Sequence, residues 1–283
     1  MKLPRHITKK EIIRRDGLFY HPTFIKKAER AEILDWLKTL HPIWEMRYSD
    51  HNPPPEGDTQ RQLLRPVYWL GNWQFACLNY YHPPKGIVNR CVLAEGYNPL
   101  LKKLLETIEG ITRAQFPKKD IPKNWTLNTC LINFYGSSID PVTQKKKDTA
   151  RVGDHKDFEP GPVASLSFGE RAFFQFVLGR KDLKNNILHE QWLDDSSLLI
   201  FGGDTLKDRA FHRVQRVENK LKSSIDLNVE HFETRRINFT FRYVPKEHIV
   251  AYHLLPDELK SDIHPYMQEL AKHSLFFKNE LEK

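Results

Sequence analysis

The sequence predicts an α+β fold, with helices packed on an antiparallel β core, and three observations predict it. Residues 24–40 and 98–116 carry apolar side chains at helical spacing. From 126 to 244, short apolar or alternating runs are separated by Gly, Pro, Asp and Asn clusters, as in an antiparallel sandwich or barrel. Residues 257–282 then return to a helical pattern. Helices, then many strands, then helix is the order of an α+β domain. No internal repeat and no long linker divides it.

Each element has its own signal. In FIKKAERAEILDWLKTL (24–40), Phe24, Ala28, Ile33, Leu34, Leu37 and Leu40 form one stripe. DHNPPPEGDTQRQ (50–62) is a polar, proline-rich loop. RPVYWLGNWQFACLNYYHPPKG (65–86) is dense in aromatics, a composition that more often fills a core than binds a ligand. Its Gly71, Asn72 and Pro83-Pro84 break regular structure and leave room for a surface lid. In 98–116, Asn98 is placed to cap a helix and Pro99 to open it. Strand signals follow at 126–134, 163–168, 172–178, 187–192, 197–201, 212–217 and 236–244. Pro265 is expected to break the C-terminal helix.

Composition narrows the class. The 283 residues are enough for a sizeable core, and no apolar run approaches the roughly 18–20 residues of a membrane span. The opening MKLPRHITKKEIIRRDG has no apolar stretch of signal-peptide type. Cys77, Cys91 and Cys130 form no C-x-x-C pair, which argues against a zinc ribbon or a disulfide framework. These features predict a soluble intracellular protein, cytoplasmic or, in a eukaryote, nuclear. The net charge of +8 suits a polyanionic partner such as nucleic acid. The densest cluster, Lys145, Lys146 and Lys147, reads as a solvated loop before it reads as a phosphate contact.

Two motifs carry chemistry. RRINFTFR (235–242) alternates, placing Arg236, Asn238, Thr240 and Arg242 on one face and Ile237, Phe239 and Phe241 on the other. If helices cover the apolar row, the arginine row points into the sandwich. In DHKDFE (154–159), His155 and Asp157 share a side of an extended segment, and His212 opens a strand signal further on. Two histidines and a carboxylate on one face of an octahedral ion form the facial triad of non-haem Fe(II) oxygenases. Arg236 then has a partner in the far carboxylate of a dicarboxylic 2-oxo acid, which a guanidinium grips with a planar fork. An H-x-D pair alone is weak, and with 13 histidines in the chain a distal one proves little by itself.

Taken in order, CLINFYG (130–136), HKD (155–157), VASLSFG with FFQF (163–176), LLIFGGD (198–204), FHRV (211–214) and RINFTFR (236–242) resemble the AlkB-like Fe(II)- and 2-oxoglutarate-dependent dioxygenases. The resemblance covers about 125–245 and implies a double-stranded β-helix (jelly-roll) core. The implied division is a single AlkB-like domain, 1–283. Residues 1–120 would supply N-terminal helices and an aromatic-rich substrate lid, 121–250 the jelly-roll core, and 251–283 a helical tail. It implies Fe(II) on His155, Asp157 and His212, with 2-oxoglutarate and dioxygen as co-substrates. Asn133 and Tyr135 would bind 2-oxoglutarate, Arg236 its distal carboxylate, and Asn238 and Arg242 would complete that pocket.

The implied reaction is oxidative removal of N-methyl groups from nucleic-acid bases. The hydroxylated methyl group leaves as formaldehyde, and 2-oxoglutarate becomes succinate and carbon dioxide. Glu159 matches an acidic position beside the bound base; a solvated loop acid is the equal alternative. Trp69, Trp73, Tyr80 and Tyr81 are candidate stacking platforms for an extruded base. DNA and RNA fit alike, and a monomer is expected. The stretches 137–154 and 218–235 are longer than the family's usual connections and leave the substrate open. Two other readings stand beside this one: the same iron chemistry on a protein or small molecule, and a non-catalytic nucleic-acid-binding module.

Overall fold

The computed structural model describes residues 11–78, 91–179, 186–215, 225–227 and 229–283. Its strands are β1 (Ile13–Arg15), β2 (Leu18–His21), β3 (Val67–Leu70), β4 (Asn72–Trp73), β5 (Cys91–Leu93), β6 (Thr129–Ile139), β7 (Lys146–Asp148), β8 (Val152–His155), β9 (Val163–Gly169), β10 (Ala172–Val177), β11 (Ile187–Leu193), β12 (Ser197–Phe201), β13 (Phe211–Gln215), β14 (Phe232–Arg242) and β15 (Ile249–Val250). The helices are α1 (Lys27–Leu37), α2 (Pro99–Gln115), α3 (Asp257–Ala271) and α4 (Leu275–Leu281). A large antiparallel sheet runs β1-β2-β12-β9-β14-β6-β3 with β7 on β6, and a smaller one runs β11-β10-β13-β8. A third, small sheet joins β15, β5 and β4.

Period-two patterning decides which face does what. Ile237, Phe239 and Phe241 of β14, Ile132 and Phe134 of β6, Leu166 and Phe168 of β9, and Leu198 and Ile200 of β12 share one core with α1, α2 and α3. The alternate residues face the smaller sheet. At one end they join it in a second core: Leu18, Tyr20, Leu199 and Phe201 pack with Phe174, Phe176 and Val214. At the other end they are polar and line a cavity. Two antiparallel sheets face to face, with helices on the outside of the larger, form the α+β fold that the sequence pattern predicts, with the jelly-roll core that the resemblance implies. Arg236, Asn238, Thr240 and Arg242 all line the cavity, so the arginine row of β14 faces inward.

The helices follow their sequence signals with two differences. The Asn98 side chain accepts from Leu101 N at 2.8 Å and Pro99 opens α2. In α1, Ile33 and Leu37 are buried, whereas Ala28 is exposed and Ile25, just before the helix, takes an inward place. The C-terminal helix does not break at Pro265; α3 continues through it, and the chain turns at 272–274. Ile263, Met267 and Leu270 flank the proline and are buried. Burying three large side chains outweighs a local cost of roughly 3 kcal/mol. Among the described residues, no helix is long and apolar enough to cross a membrane.

Candidate active site

The site grows from the β8–β13 ladder. His155 and His212 are direct cross-strand partners at a register shift. Asp157 follows two residues past His155, and the three ligand atoms lie within 4.8 Å of one another. The rings of His155 and His212 sit 4.2 Å apart with planes at 59°, so their nitrogen lone pairs can converge. His155 Nδ1 is 2.9 Å from the Gly153 carbonyl. A carbonyl only accepts, so Nδ1 carries the proton and Nε2 presents its lone pair. Burial, and then His212, push the His155 imidazolium down to about 3, so the ring is neutral. His212 is walled by Phe174, Phe176 and Phe201.

Asp157 is held for use on one side. Arg242 Nε and Nη2 both reach Oδ1, at 2.8 and 2.7 Å. Oδ2 accepts no hydrogen bond and lies 3.3 Å from His212 Nε2. Burial alone would raise this carboxyl, but Arg242 first, and then the histidines, hold it well below the ordinary carboxylate range. Lys207, buried on the turn before β13, donates to the Asp157 carbonyl at 2.5 Å, and Lys156 donates to the Asp208 carbonyl at 2.7 Å. This reciprocal pair joins the two segments that carry the triad.

The cavity has a volume of about 80 Å³ and is only partly enclosed. Arg236 is 3% exposed, yet only Nη2 is bonded, to Ser167 Oγ at 3.0 Å; Nε and Nη1 have no acceptor. Burial pulls its pKa below the ordinary arginine value. A buried guanidinium with two unmet donors fits a bound anion. The neutral, converging imidazoles and the open carboxylate oxygen fit a divalent metal. The donor set therefore suits Fe(II) and a carboxylate co-substrate side by side.

The other sequence candidates divide. Asn133 and Tyr135 line the cavity. Asn238 also lines it, but its amide is engaged within the sheet: Nδ2 donates to Ser165 Oγ and Leu166 O, and Oδ1 accepts from Thr240. Arg242 grips Asp157 and lies 3.6 Å from Glu159, so its contacts are to the triad carboxylate rather than to a co-substrate alone. Glu159 is no solvated loop acid: it is 2% exposed, lines the cavity and accepts from Gln74 Nε2 at 2.6 Å.

Trp69 and Trp73 are corrections. Both are buried and neither lines the cavity; their indole N–H groups donate to Glu45 Oε1 at 2.6 and 2.7 Å. Tryptophans bury large areas and satisfy their N–H internally, and Glu45 supplies the acceptor. Tyr80 and Tyr81 lie outside the described residues. The lysine cluster lies at the surface, away from the site. Lys145–Lys147 are exposed, Lys146 on β7 pairs with Glu233 on β14 at 3.2 Å, and none of the three lines the cavity or the groove beside it.

That groove is the feature the sequence hides. It opens beside the cavity, sharing His155, Lys156, Phe158, Val152, Val214 and Arg65 with it. Arg47, Arg61, Arg65, Arg151, Lys156 and Arg213 line it against one acid, Asp154. These cations are scattered in sequence, so no local run announces them. Phe158, 49% exposed between buried Asp157 and Glu159, stands where cavity and groove meet.

Among the described residues one other cluster brings possible ligands together: His41, Glu269 and His273. Its two rings are stacked 3.7 Å apart at 16°, so their in-plane lone pairs run side by side and do not converge on one ion. His41 Nε2 bonds Glu269 at 3.0 Å, tying α3 to the segment after α1.

A jelly roll with a histidine–aspartate–histidine triad at its open end and a buried, unmatched arginine beyond it defines a metal-dependent oxygenase of the 2-oxo-acid type. The family model described as the 2OG-Fe(II) oxygenase superfamily matches residues 17–242, and the chain belongs to that superfamily. It is a 2-oxoglutarate-dependent dioxygenase using Fe(II), 2-oxoglutarate and dioxygen. Among solved structures it is similar to one described as the structure of OsALKBH1, at 19% identity and a TM-score of 0.48, covering 82% of this chain and 100% of that one. No curated protein matches.

Proposed function

We propose that this dioxygenase removes N-alkyl groups oxidatively from nucleic-acid bases, acting as a single domain over residues 1–283. The observation that carries the reading is the groove: six cationic side chains against one acid, opening directly onto the triad cavity. A run of phosphates calls for such a lining, and a small neutral metabolite does not.

In this reading His155 Nε2, Asp157 Oδ2 and His212 hold the iron, and Arg236 takes the distal carboxylate of 2-oxoglutarate with Asn133 and Tyr135 beside it. The iron, when bound, supplies the dioxygen chemistry that oxidises an N-methyl carbon. The chain's own residues do the rest. Arg242 occupies Oδ1 of Asp157 and so leaves Oδ2 to the metal. Phe158 offers its exposed ring to a base leaving the groove for the cavity. Buried Glu159 places negative charge in the cavity, which favours a methylated, cationic ring over a neutral one. The phenylalanine thus takes the stacking role first assigned to Trp69 and Trp73.

The test uses purified protein with Fe(II), ascorbate, 2-oxoglutarate and a single-stranded oligonucleotide carrying one N1-methyladenine. Oligonucleotide mass and succinate are read together, with His155→Ala as control. Methyl loss coupled to succinate, absent in the control, is expected. Succinate without loss of methyl from DNA or RNA carrying methylated adenine or cytosine would overturn the nucleic-acid reading and leave the oxygenase.

A further inference from the structure

We propose that Arg65 is a positioning residue of the co-substrate pocket, supplied by the N-terminal region and acting through Asn133 and Tyr135. Every other residue that lines the cavity lies between Leu131 and Arg242. Arg65 alone reaches in from the segment before β3, where the following Pro66 accepts a hydrogen bond from Phe134 N at 3.2 Å.

Arg65 Nε donates to Asn133 Oδ1 at 2.7 Å. Arginine has no acceptor, so the atom facing it must be the amide oxygen. This fixes the Asn133 amide with its oxygen used and its Nδ2 free of any protein acceptor among the described residues. Nδ2 is then a pure donor in a cavity built for an anion. The cross-strand partner Asn238 has the opposite fate, because its donors are spent on Ser165 and Leu166. Of the two asparagines, Arg65 therefore selects the one that can serve a carboxylate.

The same guanidinium lies 4.8 Å from the Tyr135 ring centroid, and Arg236 lies 4.8 Å from the same centroid. Two cations sharing one aromatic ring, neither ion-paired to a carboxylate among the described residues, repel each other and favour an anion near both. Arg65 is half-buried and also lines the groove. A groove cation and nothing more is the rival account, and it predicts a different variant phenotype.

Calorimetry of 2-oxoglutarate binding to Mn(II)-loaded protein without dioxygen separates the two with no turnover involved. Arg65→Ala is expected to weaken 2-oxoglutarate roughly tenfold, as loss of one hydrogen bond serving a charged group does. Asn133→Ala is expected to weaken it similarly, and the double variant no further than the worse single one, because the two act as a unit. Arg65→Lys, which keeps a donor for Oδ1, is expected to recover part of the loss. It also carries the test if the alanine variant loses its cooperative melt. Wild-type affinity in Arg65→Ala, or losses that multiply in the double variant, would overturn the assignment. Single-stranded oligonucleotide binding is measured on the same proteins. Arg65→Ala that loses the oligonucleotide yet keeps 2-oxoglutarate affinity would sink this inference and leave the nucleic-acid reading intact. Loss of 2-oxoglutarate affinity, in a protein that binds no oligonucleotide in any form, would uphold the inference and remove that reading.

Discussion

His155 and His212 are cross-strand partners on β8 and β13, their rings 4.2 Å apart and tilted by 59°. The ladder between these strands is made by backbone groups, so it does not depend on either imidazole. His155→Ala and His212→Ala are accordingly expected to abolish tight Fe(II) or Mn(II) binding while keeping a cooperative melt. Metal titration followed by thermal denaturation checks both halves. Near-wild-type metal affinity in either variant would remove that histidine from the triad.

Arg236 separates stability from function. Its Nε and Nη1 are buried without acceptors, a standing cost in the ligand-free protein. Arg236→Met is expected to stabilise the ligand-free protein by about 1–3 kcal/mol. It should also erase the stabilisation that 2-oxoglutarate gives wild type, which is about 2.7 kcal/mol at a hundredfold excess over Kd. Denaturant midpoints with and without 2-oxoglutarate measure both effects. A variant less stable than wild type without ligand would show that the arginine is satisfied by the fold itself.

The adjacent Arg235 has the reverse role. A register shift in the β14–β6 pairing between Thr234 and Arg236 makes room for it, and a Cβ on Gly136 opposite would come within 1.8 Å of the Glu233 carbonyl. Arg235 is 1% exposed and bonds Glu170, Asp148 and Ser137. Arg235→Ala is expected to destabilise by about 3–5 kcal/mol, because it strands the buried Glu170 carboxylate and unpairs half-buried Asp148. Urea denaturation decides; a loss under 1 kcal/mol would mean that water replaces the guanidinium.

These neighbouring arginines show what was legible. Strict alternation in RINFTFR identifies the inward row correctly, since strand geometry makes face a function of parity. Parity alone puts Arg235 with the apolar row, and the register shift with the distant Glu170 and Asp148 explains a charge there. The triad could be read because His155 and Asp157 are two apart, and the third ligand came from the ordered motifs. The groove could not, because folding gathers Arg47, Arg61, Arg151 and Arg213 from far-apart positions. The one dense lysine run lies at the start of β7 instead. Trp69 and Trp73 misled because aromatic density does not distinguish a core from a platform. The buried acceptor that marks them as core, Glu45, lies more than twenty residues upstream.

Glu45 gives the protein a pH-dependent stability. It is fully buried, accepts from Trp69, Trp73 and Ala76 N, and burial raises its pKa from 4.5 to about 7 despite those three donors. The raised value means the unfolded state ionises first. The contribution is complete below pH 4.5 and is lost as pH rises through 7, about 3 kcal/mol in all. Glu45→Gln should flatten this slope at a fixed cost, because its NH₂ then faces the Ala76 N–H. Urea midpoints at pH 5, 6, 7 and 8 test it; equal slopes in wild type and variant would assign the pH dependence elsewhere.

The groove sets the last expectation. If Arg47, Arg61 and Arg151 contact phosphates, binding of a single-stranded oligonucleotide must weaken linearly on a log–log plot against salt. Each arginine replaced by alanine should then reduce that slope by about 0.7. The loss should be similar for every oligonucleotide sequence, because phosphate contacts carry no base information. Phe158→Ala should behave differently: affinity for a methylated oligonucleotide falls by about 1–3 kcal/mol while the salt slope stays the same, since stacking releases no counterions. Fluorescence anisotropy across 50–300 mM salt would separate the two kinds of contact. Unchanged slopes in all three arginine variants would detach the groove from the phosphate backbone, and with it the observation on which the nucleic-acid reading rests.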